Sequence, residues 1–134
     1  MEKGLITDRF SAAQMPALNL AYIGDTVFDM LVRTMLVTGA SEPVNRLNRK
    51  ASSIVNAASQ SRMVEVLEPL FTEDETAVYR RGRNAKSATR AKNASIQDYR
   101  RATGLEAVFG YLYLCGEHER IRELFDAAMA GRDD

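Results

Sequence analysis

Helical periodicity runs through nearly the whole chain and limits the fold more than any other feature. Apolar residues recur at intervals of three and four, and no useful stretch alternates between apolar and polar residues as a half-buried strand does. The 134 residues include only three prolines and none of the Asn-Gly or Asp-Gly pairs that mark tight hairpins. We therefore predict an all-α fold.

Proline, glycine and polar residues mark where the predicted helices begin and end. Pro16 favours a helix start and Gly39 an end, and Ser41-Glu42-Pro43 favours the next start. Thr72 and Glu75 have the spacing of a capping box, in which each side chain accepts a hydrogen bond from the other residue's backbone. The predicted helices span residues 16–39, 43–58, 62–67, 72–81, 96–114 and 119–129, and residues 82–95 are predicted to form a loop.

The length and composition predict one domain over residues 1–134, with its core at about 15–130. No stretch approaches the roughly 20 apolar residues of a membrane span, and residues 1–10 lack the apolar run of a signal peptide. The single cysteine, Cys115, suits a reducing compartment, so we expect a cytoplasmic protein without membrane contact. With His118 the only histidine, a Ser-His-Asp or Cys-His nucleophile is excluded.

Two carboxylates, Asp25 and Glu106, stand among apolar and small residues in different predicted helices. Burying an unpaired charge is unfavourable, so each needs a partner. Gly24 costs about 1 kcal/mol relative to alanine inside a helix, which predicts the close approach of another helix or a ligand. Two acids without histidine suit Mg²⁺ or Mn²⁺ better than zinc. From spacing alone, a divalent-cation site and a purely structural role both remain open.

Basic residues are concentrated between residues 80 and 101, although the net charge of the whole chain is zero. That segment has eight lysines and arginines and one acidic residue, Asp98. Such segregation gives a molecule one cationic face. The face is either a polyanion-binding surface or an ordinary solvated one. We favour the first interpretation, because solvated helix surfaces usually mix the two signs of charge.

An ordered set of segments resembles the ribonuclease III family and, within it, the Mini-ribonuclease III branch. In residues 21–27 a Gly-Asp pair, Gly24-Asp25, follows the large apolar residue Ile23. Another of the segments, residues 104–114, surrounds Glu106. The similarity covers most of the chain, from about residue 17 to residue 124. The segments that carry it are residues 21–27, 80–86 with 92–94, and 104–114.

The chain departs from the larger members of that family in two ways. Ala21 and Thr103 stand where those members have acidic residues, which implies a metal shell with fewer protein ligands, completed by water or phosphate oxygens. One or two metal ions per site both remain open. Larger members also carry a separate double-stranded-RNA-binding domain, which we expect to be absent here, as in the Mini branch.

The resemblance implies a homodimeric, Mg²⁺-dependent endonuclease that cuts double-stranded RNA, with Mn²⁺ able to replace Mg²⁺. Asp25 and Glu106 would be its catalytic metal ligands, and Tyr22 would lie in the dimer contact. The implied substrate is the precursor of 23S ribosomal RNA, with a large-subunit ribosomal protein as a further partner. The RNA contacts would be Arg81, Arg83, Asn84, Lys86, Arg90 and Lys92.

Two rival functions are compatible with the same helices. The first is a non-catalytic RNA-binding or ribosome-assembly dimer of the same fold, against which the two retained acids argue. The second is a helical interaction module without RNA, against which the basic segment argues.

Overall fold

The computed structural model describes residues 7–86 and 95–132, and every regular element within them is helical. The all-α prediction is confirmed. No helix in these two ranges is long and apolar enough to cross a membrane. The helices are α1 (Arg9–Gln14), α2 (Ala17–Gly39), α3 (Val44–Ile54), α4 (Ala57–Leu67), α5 (Glu73–Asn84), α6 (Ile96–Leu114) and α7 (His118–Arg132), with a 3-10 turn at Glu68–Leu70.

Local signals place several helix ends where the sequence predicts them. α2 begins directly after Pro16 and ends at Gly39. The capping box before α5 is formed: the Glu75 backbone N–H donates to the Thr72 hydroxyl at 3.1 Å, and the Thr72 N–H donates to the Glu75 carboxylate at 2.9 Å. α6 ends at Leu114, and the following Gly116 has a φ of 73°, a left-handed conformation that glycine adopts without strain.

Other boundaries were predicted wrongly. α3 ends at Ile54 and α4 begins at Ala57, whereas the predicted helix continued to residue 58 and the next began at 62. The break is explained by Asn56, whose side-chain oxygen accepts a hydrogen bond from the Ser59 N–H at 2.9 Å and caps α4. α1 was not predicted at all. It is capped in the same way, by Asp8.

The end of α5 was also misplaced, because Gly82 is helical and buried rather than part of a loop. α5 continues to Asn84, three residues beyond the predicted end. Of the remaining predicted loop, Ala85, Lys86 and Ser95 are non-helical, and residues 87–94 lie outside the described ranges. Burial against α6 therefore outweighs the low helix propensity of glycine.

α6 passes through the centre of the fold and packs against α2, α4 and α5. Ten of its 19 residues are buried. Beside it, Phe28 of α2 contacts both Phe109 of α6 and Phe125 of α7, with ring centroids 5.6 and 5.9 Å apart. The core is thus built around one helix that most of the others touch.

α2 and α6 cross at two glycines, Gly24 and Gly110. A Cβ atom on Gly24 would lie 1.7 Å from the carbonyl oxygen of Glu106, and one on Gly110 would lie 1.9 Å from the carbonyl oxygen of Leu20. No side-chain atom fits in either place, so the two backbones touch. The close approach expected at Gly24 is found, and its partner is a helix.

α5 approaches α6 through a second glycine contact. A Cβ on Gly82 would meet the Cα of Gly104 and the Cβ of Ala107, each at 2.9 Å. The ring of Tyr79 covers Gly104, where an added Cβ would lie 2.7 Å from it. Small residues on α6 therefore admit α2 on one side and α5 on the other.

We predict that Gly24→Ala lowers the free energy of unfolding by about 3 kcal/mol or more, because its methyl group overlaps a backbone oxygen that no rotamer change can move. The matched control is Gly39→Ala at the end of the same helix, where nothing lies within 4 Å of an added Cβ. It should leave stability unchanged or raise it by up to about 1 kcal/mol. Urea denaturation of the three proteins tests this, and equal effects of the two changes would contradict it.

Candidate active site

The helix crossing brings the side chains of Asp25 and Glu106 into hydrogen-bonding contact. Asp25 follows Gly24 directly, on the exposed side of α2, and Glu106 is half-buried on α6. The backbone of Glu106 is itself the surface that Gly24 touches. The two acids that stand out in the sequence are therefore neighbours, because the glycine beside one of them lies against the other.

The electrostatics of this pair are unfavourable when both groups are charged. The pKa of Glu106 is raised to about 8. The main cause is burial of its carboxyl group, and the charge of Asp25 and a hydrogen bond to Asp25 raise the pKa further. The Gln60 amide, which lies near the Glu106 carboxyl group without a formed hydrogen bond from its Nε2, acts in the opposite direction and lowers that pKa. At neutral pH without a cation, a proton on Glu106 relieves the repulsion.

The donor set fits a hard divalent cation. Within residues 7–86 and 95–132 no group of three or more His, Cys, Asp and Glu side chains could hold a metal ion. The candidate donors at this place are the two carboxyl groups of Asp25 and Glu106. Mg²⁺ and Mn²⁺ accept carboxylate oxygens together with several waters. A cation between Asp25 and Glu106 would take the place of the Glu106 proton, because metal binding generally displaces protons from its ligands.

The two positions at which larger family members have acids are buried in this chain. Ala21 is 6% exposed and Thr103 is 8% exposed. The Thr103 hydroxyl donates to the carbonyl oxygen of Tyr99 at 2.9 Å, one turn earlier in α6. Neither residue adds a carboxylate to the pair formed by Asp25 and Glu106.

Gln60 is a third residue at this site, and the sequence analysis missed it. It is buried on α4, and its Nε2 makes no hydrogen bond to any described residue. A signal for it exists in the sequence: Gln60 shares the spacing of the buried residues Met63, Val64 and Leu67, so it is a polar residue on the apolar face of a helix.

The predicted RNA contacts are only partly described. Arg81, Arg83 and Asn84 lie in the last turn of α5, Lys86 lies just beyond it, and Arg90 and Lys92 lie outside the described residues. The Arg81 guanidinium donates to the backbone carbonyl oxygens of Ala13, at 2.6 Å, and of Met15. Arg81 therefore ties α5 to the end of α1 and to the connection that follows it.

Arg83 and Asn84 line a cleft of about 220 Å³ between α5 and α6. The Arg83 guanidinium lies 5.6 Å from the centre of the Tyr79 ring, and its Nε donates to the side-chain oxygen of Asn84 at 3.2 Å. α6 adds Arg100 and Arg101 to the same cleft. Both are in the basic segment recognised from the sequence, but neither was predicted to contact RNA.

Tyr22 lies on an exposed side of α2, with 83% of its surface accessible. Leu18, Thr26 and Met30 are also exposed and share its spacing of four residues, which places them in one row along the helix. A groove of about 380 Å³ runs beside this row, lined mainly by apolar groups. Its lining includes Ile23, Val27, Leu31, Tyr113 and Ile121.

Comparison with known proteins decides the family. A model of the ribonuclease III domain matches residues 18–117. The chain belongs to the ribonuclease III family. The Mini-ribonuclease 3 of Clostridium tetani is 43% identical over 92% of this chain and 85% of that protein, and the Mini-ribonuclease 3 of Brevibacillus brevis is 44% identical over 84% of each. The family resemblance seen in the sequence is confirmed.

The fold agrees with this assignment. A crystal structure of a Fusobacterium nucleatum protein, 25% identical, matches with a TM-score of 0.80 over 88% of this chain and 94% of that one. The ribonuclease III family cuts double-stranded RNA and generally uses a divalent metal ion. The chain is therefore an endoribonuclease.

Proposed function

We propose that Asp25 and Glu106 are the catalytic residues of this endoribonuclease and that they hold Mg²⁺, with Mn²⁺ able to replace it. The observation that carries the proposal is the contact between the two carboxyl groups. A pair of acids with only a structural role would destabilise the fold and provide no binding in exchange. A pair that binds a divalent cation converts the same repulsion into affinity for the ion.

The chemistry is hydrolysis of an RNA phosphodiester bond. A cation held by Asp25 and Glu106 would supply an activated water molecule and would offset the negative charge that builds up on the phosphate. Asp25 and Glu106 would hold the cation as ionised carboxylates, so the Glu106 proton would pass to solvent as the ion binds. The rigid crossing at Gly24 keeps Asp25 and Glu106 at a fixed separation, so the site needs little rearrangement before reaction.

The substrate that fits the basic cleft is an RNA duplex. We propose that Arg83, Asn84 and Lys86, with Arg90 and Lys92 further along the chain, contact its phosphates. Arg81, the remaining residue predicted to contact RNA, is held by its two backbone carbonyl partners beside this surface. Residues 80–92 include no aromatic side chain, so recognition of A-form shape is favoured over base stacking.

We further propose that the enzyme is a homodimer with Tyr22 in the contact. The exposed row on α2 and the apolar groove beside it supply a surface of the kind that obligate dimers bury. Tyr22 is separated from Asp25 by less than one helical turn, so a two-fold axis at this row would place two sites near each other. Each site would then face one strand of the duplex.

The biological substrate that we propose is the precursor of 23S ribosomal RNA in the cytoplasm, with a large-subunit ribosomal protein as a further partner. This proposal rests on the resemblance to the Mini-ribonuclease III branch, to which relatives that are 43% and 44% identical to this chain belong by name. We propose that residues 1–134 form a single catalytic domain that binds the duplex through its own basic cleft.

Asp25→Asn and Glu106→Gln should each lower the cleavage rate of a structured duplex RNA by at least about a hundredfold at saturating Mg²⁺, because each removes a ligand charge that binds the cation. Both variants should stay folded, and the metal-free protein should be as stable as the parent or more so. Glu119→Gln, an exposed acid in the first turn of α7, is the control. Cleavage within about tenfold of the parent would show that the site is wrongly assigned.

Tyr22→Asp should convert the dimer to a monomer and remove most of the activity, since a charge would be buried in an apolar contact. Leu70→Asp makes the same kind of change at an exposed apolar residue between α4 and α5 and should leave the mass unchanged. Sedimentation of the three proteins at micromolar concentration measures this. A monomeric parent would rule out the proposed dimer.

The double variant Arg83→Ala/Lys86→Ala should bind duplex RNA more weakly and reduce the slope of log affinity against log salt by up to about two units, because each phosphate contact releases counterions. The cleavage rate at saturating RNA should change much less. Arg62→Ala/Arg132→Ala removes two charges from a different cleft and is the control. Binding is measured in Ca²⁺ to limit turnover, and an unchanged slope would leave these side chains as solvated surface only.

A further inference from the structure

Gln60 is the buried polar group at this site that the metal-binding scheme does not use. Only 3% of the residue is exposed, and its Nε2 forms no hydrogen bond with any described residue. α4 packs against α6, and the Gln60 amide faces the carboxyl group of Glu106. A buried N–H group without a partner lowers stability, so its position at the site needs a reason.

We infer that Gln60 is a positioning residue for Glu106, whose carboxylate accepts a hydrogen bond from the Gln60 Nε2 while it holds the cation. This inference rests on the proposed metal site. A carboxylate has about four lone-pair positions, so one oxygen can bind the ion while another accepts a hydrogen bond. Such a bond fixes the rotation of the carboxylate, as partners of metal ligands commonly do.

An amide suits this place better than a cationic side chain. Lysine or arginine would also donate to Glu106, but their charge would repel the metal ion that the carboxylate must hold. The amide N–H is uncharged. It can therefore orient the Glu106 carboxylate without competing for it.

The core holds Gln60 in place. Met63, Val64 and Leu67 follow it on the same face of α4 and are at most 2% exposed. The cap at Asn56 determines where the helix begins, one turn before Gln60. The amide thus reaches the site from a buried and well-packed helix face rather than from a surface loop.

The adjacent residue provides a matched control. Ser59 is 2% exposed, and its hydroxyl also lacks a hydrogen-bond partner among the described residues. It lines a different cleft, with Arg62 and Arg132, away from the carboxylate pair. Ser59→Ala therefore removes a buried unpartnered polar group from the same helix without touching the proposed site.

The experiment compares Mn²⁺ binding by the full-length parent, Gln60→Met and Ser59→Ala, with free Mn²⁺ measured by electron paramagnetic resonance. Methionine has nearly the length of glutamine but no donor. Gln60→Met should weaken Mn²⁺ binding about tenfold or more, and Ser59→Ala should stay within about twofold of the parent. In cleavage assays Gln60→Met should need more metal for half-maximal rate, while the rate at saturating metal changes little.

The outcomes separate this inference from the function on which it rests. No Mn²⁺ binding by the parent would contradict the proposed metal site itself. Binding by the parent, with equal affinity in folded Gln60→Met, would overturn only the positioning role. A variant that loses stability but keeps its Mn²⁺ affinity would likewise overturn it, because that is the result expected of ordinary packing.

A second measurement needs no substitution at Gln60. The chain has three glutamines, and the other two, Gln14 and Gln97, are exposed. In the parent, the side-chain N–H signals of Gln60 in an amide proton–nitrogen NMR spectrum should move downfield and exchange more slowly when Mg²⁺ is added. In Glu106→Gln they should not respond. Unchanged Gln60 signals in a parent that binds the ion would overturn the inference.

Discussion

The contact between the backbones of α2 and α6 at Gly24 and Gly110 determines where the other parts of the molecule lie. Because each glycine faces a carbonyl oxygen of the other helix, the crossing has almost no freedom to shift. The same crossing places Asp25 beside Glu106, so this backbone contact and the candidate metal site are one arrangement. A side chain at Gly24 would change both together.

The candidate site lowers the stability of the metal-free protein. Burial and the charge of Asp25 raise the pKa of Glu106, and the Gln60 Nε2 beside it has no hydrogen-bond partner in the part of the chain that the structure describes. The repulsion between the two acids and the unpartnered amide both disfavour the metal-free state. A divalent cation between the carboxylates would relieve the repulsion. Unfavourable electrostatics held by a rigid core are typical of functional sites, where binding of a ligand restores the stability that the repulsion removes from the free protein.

Tertiary position gives different functions to similar residues of the basic segment. Arg81 and Arg83 are two residues apart on α5, yet the first bonds backbone carbonyls at the end of α1 and just after it, and the second lines an open cleft. Arg100 and Arg101 belong to the same cleft because Gly82 and Gly104 bring α5 against α6. The cationic surface thus depends on helix packing as much as on composition.

The sequence by itself determined the helical class, most helix ends and the two acids, because periodicity, capping residues and an isolated carboxylate are local signals. It placed Pro16, Gly39 and the Thr72–Glu75 cap correctly. Only the tertiary structure decided that Gly82 is helical, that Arg81 bonds the backbone and that Gln60 faces Glu106. Each of these depends on which helix lies opposite. The local pattern can show that Gln60 lies on an apolar helix face, but it does not show which distant segment that face meets.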